Sequence, residues 1–280
     1  MKNDRKTIFI TGTVFMAVVL LLGCVTSAPA IAGAIPDGLM IQSGYAPGAG
    51  VPVGKIRTVH GKAFIMHADR QAVYPVTAGL AVYQADTLVT KKGGRIVLAL
   101  NDESVLTLGP ETEMVLNQSV FDPGASNRSV LVNLLTGKAR FFVKKFAALK
   151  NSTFKVRTAT SVAVVRGSDF IIQQVGDKTI ITTLGQTVLE VSNPNFPLAE
   201  PVVVNSFEQL IVTLGQLPGS PIQVTPEEIQ AILESMGIPT DGPGTGGGAD
   251  DDDDDTGMTG VPPEPPSFPE PTRPVSPYAP

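Results

Sequence analysis

Phe170-Ile171-Ile172-Gln173-Gln174-Val175, then Gly176-Asp177-Lys178, then Thr179-Ile180-Ile181-Thr182-Thr183: two runs of aliphatic and β-branched residues flank a Gly-Asp turn, which is the pattern of a β-hairpin. The pattern recurs upstream. Ile96 to Leu100 ends in Asn101-Asp102-Glu103-Ser104, and Val105 to Leu108 ends in Gly109-Pro110. Val130 to Leu135 stops at Thr136-Gly137, read as a turn, and Ala139 to Val143 follows. About a dozen such runs lie between Val53 and Leu214 with no long helical period among them, which argues for an all-β domain. Some runs are apolar on consecutive residues, as in Ser161-Val162-Ala163-Val164-Val165. Such strands are expected to be buried on both faces or to lie between two sheets. The expected fold is all-β: a two-sheet sandwich or a solenoid-like stack of antiparallel strands, with one short C-terminal helix and a disordered tail.

That helix is signalled by Thr225-Pro226-Glu227-Glu228, a capping box with proline at the first helical position. Ile229, Ile232, Leu233 and Met236 fall on one face, and Gly237 supplies the stop. A helix that packs on the sheet and closes an open end is the preferred reading; a docking helix for a partner is the other. From Ile238 onward the composition turns Gly/Pro-rich, then to six carboxylates at Asp250 to Asp255, then to Pro262-Pro263-Glu264-Pro265-Pro266. Like charges repel, and little here can bury surface against chain entropy, so 238–280 is read as a disordered acidic and proline-rich tail. A solvated spacer is preferred there over a calcium site, because calcium loops need spaced ligands and a glycine turn.

At the other end, Lys2, Arg5 and Lys6 precede an apolar run from Ile8 to Gly23, which suits a signal segment better than a membrane span. Residues 1–32 are therefore read as a signal peptide or lipoprotein signal, and the chain as exported: periplasmic, membrane-anchored facing the periplasm, or secreted. Leu21-Leu22-Gly23-Cys24 resembles a lipobox, which makes Cys24 a lipidation candidate. Small-x-small patterns at Ala28-Pro29-Ala30, Ala30-Ile31-Ala32 and Ala32-Gly33-Ala34 support ordinary cleavage instead, and an uncleaved anchor is the third reading. Residues 33–52, rich in Gly, Pro and Ala, read as a linker.

Composition excludes several functions. The chain has 280 residues with 21 Lys+Arg and 26 Asp+Glu, but residues 238–280 hold nine acids and one base. The acidity thus belongs to the tail, and no basic cluster with interleaved aromatics points to nucleic acid. One cysteine rules out an intramolecular disulfide or a multi-thiolate metal site. Two histidines, His60 and His67, are too few for a histidine-rich metal centre, and the absence of Trp leaves sugar stacking poorly supplied.

Thr158-Ala159-Thr160-Ser161-Val162-Ala163-Val164-Val165-Arg166-Gly167-Ser168-Asp169-Phe170 resembles the signature of FecR domains, in which such a strand leads into a hairpin and a later "G-x-V-x-V" strand, here Gly185 to Val191. Gly54-Lys55-Ile56 and Gly61-Lys62-Ala63 fit the family's opening strands. Gly79-Leu80 with Asp86-Thr87-Leu88-Val89-Thr90 is similar to another family segment, with Ala85 where glycine is usual. Arg95 to Ser104 is similar to a third, with Glu103 replacing glycine, and Thr136-Gly137-Lys138-Ala139 fits a family turn. The resemblance implies a FecR-like β domain over 53–192; residues 193–237 are read from their own pattern as a strand extension and capping helix. Name-giving members of the family relay signals to a cytoplasmic sigma factor through a domain ahead of the membrane. Only Met1 to Thr7 stand there in this chain, so a free-standing envelope protein is expected instead.

Within the motif, Gly167 is expected to free the backbone for a bend, Ser168 and Asp169 to bond nearby backbone, and Phe170 to re-enter the core. Arg166 is expected to tie loops through a carboxylate such as Asp86, Asp102 or Asp169. This structural role for Arg166, Gly167, Ser168, Asp169 and Phe170 is preferred over a ligand site made by Arg166 and Asp169. Asp102, Glu103, His60 and His67 are read as solvated turn and surface polarity. No catalytic, cofactor-binding or metal residues are assigned, and no cofactor is expected. The chain is read as a non-enzyme: an envelope binding or scaffold module for a protein or surface polymer, or else a signal-relay component acting with a separate sigma factor or sensor.

Overall fold

The computed structural model describes residues 40–239 apart from 69–71, 147, 148, 150 and 186. The signal segment with Cys24, residues 33–39 of the expected linker and the tail from 240 with its Asp run lie outside the described residues.

Two sheets form the domain, and one long strand belongs to both. The first runs β1 (Met40–Ile41), β4 (Ala72–Pro75), β3 (Ala63–Met66), β6 (Thr87–Thr90), β9 (Glu113–Asp122), the first part of β10 (Asn127–Val143), β11 (Asn151–Arg157), β12 (Val162–Val165), β15 (Leu189–Ser192) and β16 (Val202–Val204). The second runs β5 (Ala81–Val82), β2 (Gly54–His60), β7 (Arg95–Leu100), β8 (Val105–Leu108), the second part of β10, β13 (Ser168–Val175), β14 (Lys178–Leu184), β17 (Glu208–Thr213) and β18 (Ile222–Gln223). The fold is all-β, as the strand pattern indicates, and its pairings are mixed. Most are antiparallel, while β1–β4 and β10–β11 are parallel. The second follows from β10: its end lies in the other sheet, so the chain must cross back before β11 starts alongside Asn127.

The core fills the space between the sheets. Alternation places Ile96, Leu98 and Leu100 of β7 inward and leaves Arg95, Val97 and Ala99 half-buried. Phe141 from one sheet meets Phe154 from the other at 6.4 Å and stacks on its neighbour Phe170 at 5.2 Å. The apolar run at β12 also alternates: Ala163 and Val165 are buried, but Val162 and Val164 stay half-exposed on the outer face. Double-sided burial is not its reason for being apolar. The hairpin of β13 and β14 forms as read, with Val175 opposite Lys178 and Gly176 at a φ of 55°.

Thr136-Gly137 is not a turn. The strand runs through it, leaving β9 and joining β8 and β13. Gly137 has a φ of 88°, and a Cβ there would lie 2.5 Å from Thr112 Cα. Thr112 itself is buried and accepts the Lys138 N–H at 3.0 Å. The glycine is therefore a corner between sheets rather than a chain reversal, a use of glycine that strand punctuation alone does not separate from a turn.

Residues 40–52, read as linker, carry β1 and set Tyr45 against the core, its hydroxyl donating to the Ala81 carbonyl at 2.6 Å. The helix α1 (Pro226–Ser235) has its capping box in place: the Glu228 N–H donates to Thr225 Oγ1 at 3.2 Å and the Thr225 N–H to Glu228 Oε2 at 2.8 Å. Ile229, Ile232, Leu233 and Met236 pack on Ile171 and Leu184 of the second sheet, outside the main core. Among the described residues no helix is long and apolar enough to cross a membrane.

Two substitutions test this backbone. Gly137→Ala adds a left-handed alanine, about 1–3 kcal/mol, and overpacking against Thr112, about 1–3 kcal/mol. Chemical denaturation should show it destabilised by about 2–6 kcal/mol, and a loss under about 1 kcal/mol would contradict the corner. Ala85 adopts a φ of 65°. Ala85→Gly relieves about 1–2 kcal/mol of strain and returns about 0.4–1 kcal/mol in unfolded-state entropy. A net gain of about 0.5–1 kcal/mol is expected, visible as a small rise in Tm.

Candidate functional site

Arg128 lies in Asn127-Arg128-Ser129-Val130-Leu131-Val132, in phase with the buried Val130 and Val132. Its side chain is therefore directed into the sandwich, where it has no exposed surface. It donates through Nη1 to the Lys144 carbonyl at 2.7 Å and to Asp102 Oδ2 at 3.4 Å, and through Nη2 to the Arg166 carbonyl at 3.1 Å. Its Nε has no hydrogen-bond partner, and the guanidinium carbon lies 5.3 Å and 6.0 Å from the ring centres of Phe146 and Phe154. Burial pulls its pKa down, and the Asp102 charge opposes that. Asp102, also buried, accepts the Ser104 N–H at 3.0 Å and the Ser104 hydroxyl at 2.9 Å. Asp102 is thus not solvated turn polarity: it is the counter-charge of a buried cation. Glu103, at a φ of 63°, is the exposed residue of that turn and pairs with Lys144.

Arg166 takes part in this network through its backbone alone. Its guanidinium is exposed, and each carboxylate expected to hold it has another partner. Asp86 meets His67 at 2.7 Å, Asp102 meets Arg128, and Asp169 makes two bonds to Arg140 at 2.9 and 2.6 Å. The Asp169 bonds push the Arg140 pKa up, against the effect of burial. Arg166 and Asp169 therefore do not form a joint site: Arg166 faces a cleft beside the first sheet, and Asp169 pairs on the outer face of the second. Gly167 is required for a different reason than conformational freedom. A Cβ there would overlap the Lys145 Cβ and lie 2.7 Å from its Cα, so the two backbones touch. Ser168 donates to the Gly167 carbonyl at 2.7 Å, the Asp169 N–H donates to Thr187 Oγ1 at 3.1 Å, and Phe170 enters the core.

The contact between Gly167 and Lys145 borders a cleft of about 810 Å³. Its floor is the outer face of β11, β12 and β15, represented by Thr153, Val164 and Glu190. Val188 and Ser206 come from the loops opposite, and Arg166 and Lys145 stand on the rim. The volume is in the range of ligand pockets. Two cations, several hydroxyls and one carboxylate can bind and orient a polar ligand. Among the described residues no histidine or thiol lines the cleft.

His67 is buried, which corrects the surface reading. Its Nδ1 faces Asp86 Oδ1 at 2.7 Å and its Nε2 faces the Ala46 carbonyl at 3.0 Å, within a ring of Tyr45, Tyr74 and Tyr83. With both ring nitrogens engaged it clamps residues 45–46 to the domain. His60 is exposed on β2. Among the described residues no group of three or more His, Cys, Asp or Glu side chains could hold a metal. Sequence reasoning missed Arg128, although an arginine in phase with buried valines is a sign of a buried ion pair. It also missed Lys145, which nothing local marks.

Arg128→Met leaves Asp102 buried without its cation and should lose about 3–5 kcal/mol. Arg166→Ala should change stability by no more than about 0.5 kcal/mol, because only its carbonyl is used. Equal losses in the two variants, measured by denaturant unfolding, would contradict this division of roles.

Residues 86–189 match the sequence profile of the FecR family, described as FecR protein. No curated protein matches the chain. Two crystal structures of a candidate anti-sigma factor from Parabacteroides distasonis ATCC 8503 are similar at 21% identity with a TM-score of 0.41. They cover 52% of this chain, and 63% and 64% of theirs, so the chain spans less than two thirds of those proteins. The profile match begins at the His67 partner Asp86, contains both arginine–aspartate pairs and ends at the start of β15. The resemblance to the FecR family lies in residues 86–189 of this chain.

Proposed function

We propose that this chain is a non-catalytic binding module of the cell envelope that takes part in signal transduction. The FecR domain supports a signalling role and a protein partner. The observation that carries the binding reading is the contrast between the domain's ionic groups. Asp86, Asp102 and Asp169 are each occupied by a structural partner, while the cleft cations Arg166 and Lys145 have none among the described residues. Groups already held in the fold are poor acids or bases for turnover, and exposed unpaired cations suit recognition.

The export signal read at residues 1–32 supports a location outside the cytoplasm, with the module held at the membrane by that segment or by a lipid on Cys24, or released. On this reading the partner is an envelope protein or a surface polymer. A relay role with a separate sigma factor or sensor is the second reading, favoured by the family's name-giving members.

A photo-crosslinking residue at Val188, on the cleft loop and 60% exposed, should trap a defined partner in intact cells. The same residue at Leu198, which is fully exposed and lies away from the cleft lining, should not. Equal labelling at both sites, or none at either, would overturn the binding reading. Mass measurement of the mature N-terminus should show processing before Cys24 or near Gly33. An intact cytoplasmic Met1-to-Pro280 chain would remove the envelope location.

A further inference from the structure

The cleft cations are brought together by the same contact that demands glycine at 167. Lys145 leaves the end of β10 and Arg166 leaves β12, and the absence of a Cβ at 167 lets the two backbones meet. Three buried or half-buried cations in the domain have an acid: Arg128 has Asp102, Arg140 has Asp169 and Lys144 has Glu103. Arg166 and Lys145 are exposed, adjacent in the fold and without an ion pair among the described residues. Like charges held on one rim raise the local potential and attract an anion.

The rest of the lining describes what carries the anion. Glu190, exposed in the same lining, accepts donors and repels a uniformly anionic surface. Among the described residues no aromatic ring lines the cleft to stack a sugar or a base. A peptide supplies what this lining can pair: carboxylates for the cations and N–H groups for Glu190.

We propose that the cleft between Arg166, Lys145 and Glu190 binds an acidic peptide segment of the partner protein, with its Asp or Glu side chains on the two cations. This rests on the binding-module reading and names the partner's chemistry. Arg166 offers two parallel donors to a carboxylate, and Lys145 a second positive charge beside it. Such an interface is salt-sensitive, because the cations are exposed.

The test uses the mature full-length chain and a fluorescent hexa-aspartate peptide, with inorganic phosphate and oligogalacturonate as competitors. Saturable peptide binding at low salt is expected, at least about tenfold weaker in Arg166→Ala and abolished in a Lys145→Glu/Arg166→Glu double variant. Both variants should keep the wild-type denaturant unfolding midpoint, which separates lost binding from lost folding. Peptide binding that survives the double charge reversal would overturn the proposal, as would no binding at all. Displacement by phosphate at equal concentration would reduce the site to a simple anion site, and tighter binding of oligogalacturonate would assign it to a polymer; either result overturns the peptide assignment. If the Val188 cross-link persists in the double variant, this inference falls while the binding-module reading stands.

Discussion

Arg128 is a cation without exposed surface, and the lower end of the sandwich is organised around it. Its donors reach the 101–104 turn through Asp102, the exit of β10 through the Lys144 carbonyl, and the bend after β12 through the Arg166 carbonyl. These three segments are far apart in sequence and belong to both sheets. A buried guanidinium can join them because it has five donors in one rigid plane. Removing it from water is costly, so the surrounding oxygens must be in place when the fold closes. The motif that marks the FecR domain gains a physical meaning from this. Asp102 and Ser104 make the acceptor, and Arg166 contributes a carbonyl held in position by the Gly167–Lys145 contact.

The second constraint is β10. One strand of 17 residues supplies hydrogen bonds to β9 and β11 in one sheet and to β8 and β13 in the other. The corner at Gly137 makes that possible, and Thr112 braces it. Because β10 also carries Arg128 and Arg140, the sheet crossing and both arginine–aspartate pairs are consequences of a single strand. The Arg140–Asp169 pair ties β10 to β13 from outside while Phe141 and Phe170 stack on the inside, so the same two strands are joined on both faces.

Function follows from what this arrangement leaves over. Asp86, Asp102 and Asp169 are engaged, and His67 is held between Asp86 and the Ala46 carbonyl. The cleft beside Gly167 is different: it is large, polar and rimmed by two exposed cations. Arg128 and Arg140 each have an aspartate, while Arg166 and Lys145 have no ion pair among the described residues. The positions where this chain departs from the family's glycines, Ala85 and Glu103, keep positive φ values of 65° and 63°. The backbone there is set by the surrounding turns and not by the residue that occupies it.

Much of the fold was legible in the sequence because strand alternation and turn chemistry are local. The 176–177 hairpin, the β7 and β8 runs, the Thr225 capping box and the inward Phe170 could all be read from neighbours along the chain. What tertiary structure alone decided are the pairings between distant segments. Gly137 looked like a turn because a glycine that bends a strand between sheets and one that reverses it are the same letter. Arg166 looked like the tying residue because its side chain has the donors, yet its carbonyl is used and the donors come from Arg128. His67 looked like surface because burial depends on residues 45–46 folding back over it. Periodicity determines which face a side chain takes; which charge meets which depends on how the two sheets close, and that is a property of the packed chain.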